Sequence, residues 1–150
     1  MINNILIKSQ FDNLELSVNY LIPDENIKGI VFIVHGMSEH KERYNYFLDK
    51  IINNSYIAVV YDGRGHGKSI KDKNDLGYFY TNDCTALRED LYTVMNYFQD
   101  KYKLERNIIF AHSMGTLVVR SFLQKYDDIL SKVILCGPPT EQRLVDVGLF

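Results

Sequence analysis

The stretch "NIIFAHSMGTLVVRSFLQKY", residues 107–126, carries the strongest structural signal in the sequence. Its first part is a continuously apolar run, which is typical of a strand buried on both faces of a parallel sheet. The run stops at Ser113, and the residues from Thr116 to Tyr126 are apolar nearly all round a helix. The pattern predicts a buried strand, a tight turn at Ser113 and a deeply buried helix.

The same strand-turn-helix theme recurs through the C-terminal two-thirds of the chain. Apolar runs occupy residues 29–36, 56–63 and 132–138, with helical periodicity between them. Residues 14–20 instead alternate between apolar and polar, as expected of antiparallel strands at a sheet edge. The order β-β-β-α-β-α-β-α-β predicts an α/β fold: a mostly parallel sheet with antiparallel N-terminal strands and helices on both faces.

Composition narrows the class of protein. The 150 residues are 46% hydrophobic and 24% charged, which indicates a globular domain rather than a disordered chain. The net charge of −2 does not indicate the basic surface that binding of nucleic acid requires. No apolar stretch approaches the roughly 20 residues of a membrane span. The N-terminus lacks the pattern of a secretion signal, so we expect a cytoplasmic protein. We interpret Cys84 and Cys136, which lie far apart and outside any metal-binding spacing, as packing residues.

Ser113 is the candidate nucleophile. A nucleophile elbow turns so tightly from strand to helix that the positions two before and two after the serine must be small, and Ala111 and Gly115 meet this requirement. The serine of such an elbow is strained, with its hydroxyl exposed at the C-terminal edge of the sheet. The alternative is an N-cap, in which the hydroxyl only satisfies free amides of the helix.

Acyl transfer to a serine also needs backbone amides directed at the developing oxyanion. One candidate is the amide of Met114, directly after the serine, and the other is the amide of Met37 in the loop after the first buried strand. Gly36 allows that loop to turn inward.

Two motifs have competing interpretations. The loop after the first buried strand also offers possible metal ligands, namely Glu39, His40 and Glu42. They lack the HExxH helical spacing, so we expect no metal. The stretch "YDGRGHGKS", residues 61–69, ends like a phosphate-binding loop, but the glycine that this loop requires is replaced by Asp62. We interpret residues 61–69 as a structural turn beside the candidate site.

Together, "HGMSEHKERY", "DGRGHGKS" and "AHSMG" resemble, in order and spacing, the HGxxEHxxRY, DxRGHGxS and GHSMGG motifs of the α/β-hydrolase superfamily, specifically its monoacylglycerol lipase and lysophospholipase-like branch. The resemblance covers roughly residues 15–140. It implies that Ser113 is the nucleophile, with Met37 and Met114 as the oxyanion hole. The supporting motif residues are His35, Gly36, His112 and Gly115.

The resemblance further implies a serine ester hydrolase without metal or organic cofactor, acting commonly on esters of glycerol or lysophospholipids. Ala111 and Thr116 replace two glycines of the family's elbow, and both are small. A serine at position 113 argues against the dehalogenase and epoxide hydrolase branches, which use an aspartate there.

The family's base and acid are not found in this chain. A serine hydroxyl needs a histidine as base and an acid to orient it, and the family places both after the serine. No histidine follows Ser113. We therefore expect residues 1–150 to be the N-terminal part of one α/β-hydrolase domain with about six strands, lacking the last strands and the cap, whose insertion starts at about 140–150. The isolated chain is then expected to be almost inactive, and its last strand, "KVILC", to leave an apolar edge prone to self-association.

Some alternatives remain open. His40 or His66 is a substitute candidate for the base, whereas His35 and His112 are expected to pack or to point away. Acidic residues after the serine are interpreted as solvated surface: Asp127, Asp128, Glu141 and Asp146. Two other functions compete with the hydrolase, namely a non-catalytic hydrolase-like binding module and a nucleotide-binding protein.

Overall fold

The computed structural model describes residues 1–140. Its strands are β1 (Asn3–Lys8), β2 (Glu15–Leu21), β3 (Gly29–Val34), β4 (Tyr56–Tyr61), β5 (Asn107–His112) and β6 (Lys132–Cys136). Its helices are α1 (Asn45–Ile52), α2 (Thr85–Tyr102) and α3 (Met114–Tyr126), with short 3-10 turns at Lys41–Tyr44 and Asp127–Ile129.

The strands form one mixed sheet in the order β1-β2-β4-β3-β5-β6. β2 pairs antiparallel with both β1 and β4, whereas β4, β3, β5 and β6 run parallel to one another. The predicted α/β fold, with its antiparallel start and parallel remainder, is confirmed. Because the parallel strands end at the same edge, the loops after β3, β4 and β5 are neighbours there.

Helices cover both faces of this sheet. All six residues of β3 are buried, and successive side chains of a strand point to opposite faces. Ile30 and Phe32 belong to the apolar cluster that includes α2 and α3, whereas Val31 and Ile33 belong to the cluster that includes α1. Burial on both faces explains why β3 is continuously apolar rather than alternating. In the part of the chain that the structure describes, no helix is long and apolar enough to cross a bilayer.

Helix α3 differs from its prediction. Val118, Val119 and Phe122 are buried against the sheet and α2, but Leu117 is 44% exposed. The expectation of burial all round the helix was wrong for residues 1–140, because only one side of α3 is covered there.

The interpretation of the two cysteines was also wrong, because both are exposed. Cys84 precedes the first residue of α2, and Cys136 ends β6. Within residues 1–140, β6 pairs only with β5 and exposes Ile134 and Leu135. The expected apolar edge is therefore present, and self-association through it stays a prediction.

Candidate active site

Ser113 lies at the junction of β5 and α3, in a conformation rare for a residue with a side chain. Its φ is 48° and its ψ is −120°, whereas an N-cap residue typically has an extended backbone. Its side chain makes no capping hydrogen bond to α3. The capping alternative therefore fails, and the backbone strain is of the kind found where a side chain must be held for function.

The residues around Ser113 make this tight turn possible. A Cβ at position 115 would overlap the carbonyl oxygen of Val34 and lie 2.7 Å from that of His35, so only glycine fits there. Ala111 is fully buried beside β3. Thr116, which stands where the family has glycine, donates its amide (2.9 Å) and its hydroxyl (2.7 Å) to the carbonyl of Ser113. The threonine thus stabilises the turn.

A further hydrogen bond joins the elbow to the edge strand. The amide of Ser113 donates to the carbonyl of Cys136, the last residue of β6, over 3.0 Å. The position of the serine therefore depends on β6 as well as on β5.

The loop after β3 lies directly against the serine. A Cβ built on Gly36 would be 3.1 Å from Cβ of Ser113, a tighter contact than usual, so glycine makes the close approach easier. The neighbouring Met37 amide and the amide of Met114 make no hydrogen bond to an acceptor within residues 1–140. The structure thus brings Ser113 and the amides of Met37 and Met114 to one edge of the sheet, and neither amide has an acceptor among residues 1–140.

His35 fixes one side of this loop. Its ring is buried, its Nδ1 lies 2.7 Å from the carbonyl of Gly36, and its Nε2 accepts the amide of Gly63 over 2.9 Å. Because Nε2 accepts, Nδ1 must carry the proton and donate to Gly36. Burial lowers the pKa of His35 and keeps the ring neutral. With both nitrogens engaged, His35 is a structural link between two loops, in agreement with the expectation that it packs.

Glu39 fixes the other side of the loop, a role that the sequence reasoning missed. Its Oε2 accepts the amide of Gly36 (2.7 Å) and the hydroxyl of Tyr44 (2.9 Å), and it lies 3.1 Å from Nδ1 of His112. Burial alone would raise the pKa of Glu39, but the hydrogen bonds from Gly36, His112 and Tyr44 outweigh it and lower the pKa to about 2. The carboxylate is therefore ionised, and His112 is directed at it.

The two remaining histidines are also engaged elsewhere. His40 is half-exposed and pairs with Glu42, its Nδ1 lying 2.9 Å from the carboxylate. His66 is buried and stacks on Phe79. No histidine within residues 1–140 hydrogen-bonds to Ser113, so neither substitute candidate is in place as a base.

The possible metal ligands do not converge. Glu39 is directed at Gly36 and His112, whereas His40 and Glu42 pair with each other. Across the described residues, 1–140, no group of three histidine, cysteine, aspartate or glutamate side chains could hold a metal ion.

Residues 61–69 form a turn built around the carboxylate of Asp62. This carboxylate accepts the amides of Lys41 (2.8 Å) and Lys68 (2.9 Å), and it pairs with the ammonium group of Lys41 over 2.7 Å. A Cβ on Gly67 would overlap it. Ser69 is fully buried and donates its hydroxyl to the carbonyl of Asp62. The residues that resembled a phosphate loop are therefore occupied in stabilising a turn.

Arg64 is a second residue that the sequence reasoning missed. It is fully buried and binds Asp90 through Nε (2.6 Å) and Nη2 (2.8 Å), and it pairs with Asp12 through both terminal nitrogens. Its Nη1 also donates to the carbonyl of Phe79. One guanidinium thus connects the N-terminal hairpin, helix α2 and the loop after β4. No local spacing signals this, because the partners lie 52 and 26 positions away.

Of the acidic residues after the serine, Asp127 and Asp128 lie within residues 1–140. Asp127 and Asp128 are exposed, as expected of solvated surface. Glu141, Asp146 and nearly all of the predicted cap start at about 140–150 lie outside the described residues.

The chain is similar to proteins of a known family. The family model described as "Serine aminopeptidase, S33" matches residues 25–147. The monoacylglycerol lipase of Mycolicibacterium smegmatis is 28% identical over 116 residues, which cover 77% of this chain and 40% of that protein. The probable lysophospholipase L2 of Haemophilus influenzae is 26% identical over 132 residues, covering 84% and 40% respectively.

Among solved structures, a thermostable carboxyl esterase from Bacillus coagulans in complex with glycerol superposes with a TM-score of 0.88 at 26% identity. The match covers 99% of this chain and 48% of the esterase. The chain thus spans less than half the length of these relatives. From the family match, the sheet order and the shared motifs, we conclude that the chain belongs to the serine aminopeptidase S33 family of α/β-hydrolases.

Proposed function

We propose that Ser113 is the nucleophile of a carboxylic ester hydrolase of the monoacylglycerol lipase and lysophospholipase-like type. The observation that carries the proposal is the backbone of Ser113, at φ 48° and ψ −120°, with its side chain free of any capping bond. A serine that only capped α3 would have no need of this strain. The nearby amides of Met37 and Met114 supply the second requirement of acyl transfer, a pair of donors for the oxyanion.

The reaction then follows the acyl-enzyme route. The hydroxyl oxygen of Ser113 attacks the ester carbonyl carbon while a base takes its proton, and the amides of Met37 and Met114 bind the resulting oxyanion. Collapse of the tetrahedral species breaks the bond to the alcohol, which leaves with the proton returned by the base. Water repeats the sequence on the acyl-enzyme, releasing the carboxylic acid and restoring the serine.

The proposed base and its orienting acid come from outside these 150 residues. Two observations support this: the four histidines are engaged away from Ser113, and the chain spans 40–48% of the relatives described above. The described residues then form the N-terminal part of a single hydrolase domain. The 150-residue chain alone is expected to turn over more slowly by on the order of a million-fold, as when the base of such a triad is removed.

The proposed substrates are esters of glycerol or of lysophospholipids. The names of the two relatives, monoacylglycerol lipase and probable lysophospholipase, support this class. Met37, whose backbone amide is a proposed oxyanion donor, has an apolar side chain that is 49% exposed. This side chain suits contact with an acyl chain better than contact with a charged group.

Labelling with a fluorophosphonate tests the proposal. We would treat the 150-residue chain, and a form extended past Phe150 that includes a histidine base, and locate the adduct by mass spectrometry. The extended form is expected to be labelled at Ser113, and Ser113→Ala to abolish both labelling and hydrolysis of monoacylglycerol. The matched control is Ser121→Ala, on the body of α3, which should change neither.

Two outcomes would refute the mechanism: an adduct on another residue, or undiminished labelling of Ser113→Ala. A folded extended form that neither reacts nor hydrolyses esters would instead favour the non-catalytic binding module.

A further inference from the structure

Gly36 is the residue whose conformation aims the proposed oxyanion donor. It precedes Met37, and glycine has the widest choice of backbone dihedrals, so its φ and ψ must be fixed by its surroundings. The peptide group between Gly36 and Met37 is planar, and in its trans form the carbonyl and the amide point in opposite directions. Holding the carbonyl of Gly36 therefore directs the amide of Met37 to the opposite side.

Both polar groups of Gly36 are held from outside. The ring of His35 donates to the Gly36 carbonyl over 2.7 Å. The carboxylate of Glu39 accepts the Gly36 amide, also over 2.7 Å. The carbonyl bond orients the plane that carries the Met37 amide, and the bond to Glu39 fixes the preceding peptide. Together they leave Gly36 little freedom.

Glu39 also reaches across to the nucleophile elbow. The same oxygen that accepts the Gly36 amide lies 3.1 Å from Nδ1 of His112, the residue before Ser113. The Glu39 side chain is only 10% exposed, which strengthens these bonds relative to those of a solvated carboxylate. A Cβ on Gly36 would be within 3.1–3.2 Å of Glu39, His112 and Ser113, so all three groups meet at this glycine.

We propose that Glu39 is a positioning residue that holds the loop after β3, which carries Gly36 and Met37, in a fixed position relative to the turn at Ser113, through simultaneous bonds to Gly36 and His112. The inference rests on the proposed function, since it concerns the oxyanion donor of that reaction. Glu39 touches no reacting atom in this role. It acts by keeping the Met37 amide where the oxyanion develops.

The chain offers a matched control at Glu42. Glu42 is on the same loop and its pKa is likewise lowered to about 2, where burial, which would raise it, is outweighed by bonds to His40 and Lys41. Its carboxylate hydrogen-bonds to His40 and Lys41, and to neither Gly36 nor His112. Removing Glu42 therefore tests the loss of a paired carboxylate from the loop without loss of the link to the elbow.

The first experiment uses the 150-residue chain and needs no activity. In Glu39→Ala, the amide proton resonance of Gly36 should lose the downfield shift of a bond to a carboxylate, and the resonances of Met37 and Met114 should move. Glu39→Gln keeps an acceptor for Gly36 and should move them less. Glu42→Ala should leave all three unchanged, and equal changes in Glu42→Ala would overturn the proposal.

The second experiment uses the extended, active form. Removing one oxyanion donor costs about 100- to 1,000-fold in kcat, so displacing one should cost about 10- to 100-fold. Glu39→Ala is expected to lower kcat by that factor with KM within about threefold, and to weaken binding of a boronic acid inhibitor in parallel. Glu39→Gln should recover most of the loss, and Glu42→Ala should match the wild type.

The outcomes separate the two proposals. A kcat loss without weaker boronic acid binding would mean that Glu39 only stabilises the fold, because a smaller folded fraction lowers the apparent kcat but not the affinity of the molecules that remain folded. An extended wild-type form that is inactive would count against the proposed function, and the resonances of Gly36 and Met37 would still decide whether Glu39 holds the loop.

Discussion

Replacing Ser113 by glycine should leave the protein more stable than replacing it by alanine. The backbone at φ 48° and ψ −120° costs a residue with a Cβ about 1–3 kcal/mol. Glycine avoids this cost, but its greater freedom in the unfolded chain offsets about 0.5–1 kcal/mol of the gain. The net expectation is a free energy of unfolding about 1 kcal/mol higher for Ser113→Gly than for Ser113→Ala.

The assay is urea unfolding of the 150-residue chain, with thermal melting as a second measurement. A difference of 1 kcal/mol corresponds to about 2–4 °C in Tm for a chain of this size. The control pair is Ser121→Gly and Ser121→Ala in α3. At an ordinary helical position glycine is less favourable than alanine by about 1 kcal/mol, so the order should be reversed. Both pairs remove a hydroxyl, so its loss cancels within each comparison.

The reasoning is refuted if Ser113→Ala is as stable as Ser113→Gly or more so. The backbone of Ser113 would then be unstrained, and the main physical support for a nucleophile elbow would be lost. If the order at position 121 were the same as at 113, glycine would be favoured for a reason unrelated to the elbow.

Three further predictions concern the surroundings of the site. Gly67→Ala adds a Cβ that overlaps the carboxylate of Asp62, so it should lower the free energy of unfolding by about 2–4 kcal/mol in the same urea assay. Gly77→Ala is the control, because Gly77 also has a positive φ but open space around it, and it should lower the free energy of unfolding by about 1–2 kcal/mol. The pKa of Glu39 in the folded chain is about 2, below the usual 4.5, so the carboxylate's contribution to the free energy of unfolding is complete above pH 4.5 and is lost as the pH falls toward 2. Glu39→Gln should therefore flatten the curve of unfolding free energy against pH in this range. A curve with unchanged slope would contradict the hydrogen bonds assigned to Glu39. Arg64→Ala leaves the buried carboxylate of its α2 partner uncompensated and should cost about 3–5 kcal/mol in unfolding free energy, with a loss below 1 kcal/mol counting against a stabilising role for this network.

The fold was predictable because burial leaves a direct pattern in the chain. β3 and β4 are covered on both faces, so nearly every residue must be apolar, and the runs 29–36 and 56–63 show this without reference to any other segment. The exposure of Leu117 was not predictable in the same way. An apolar helix surface specifies that it can be buried, but which residues cover it depends on elements elsewhere.

The candidate site could be inferred from the sequence only where its residues lie close together in the chain. Ser113 and its small neighbours lie within five residues, so the geometric requirement of the elbow can be read from the sequence. Glu39 acts on His112, which lies 73 positions away, and no local spacing reports that hydrogen bond. Arg64 is a similar case, since an arginine after a strand is usually taken for solvated surface until its buried partners are seen.

The hydrogen bond from the Ser113 amide to the Cys136 carbonyl makes the position of Ser113 depend on the register of β6. Each residue of a strand advances about 3.3 Å, so a slip of β6 by one residue would offer the elbow a carbonyl displaced by more than a hydrogen-bond length. The serine would then have to move with the strand or give up the bond. The outer edge of β6, which is unpaired within residues 1–140, is thus one hydrogen bond away from the backbone of Ser113, so a strand that paired with this edge would also restrain the turn at the serine.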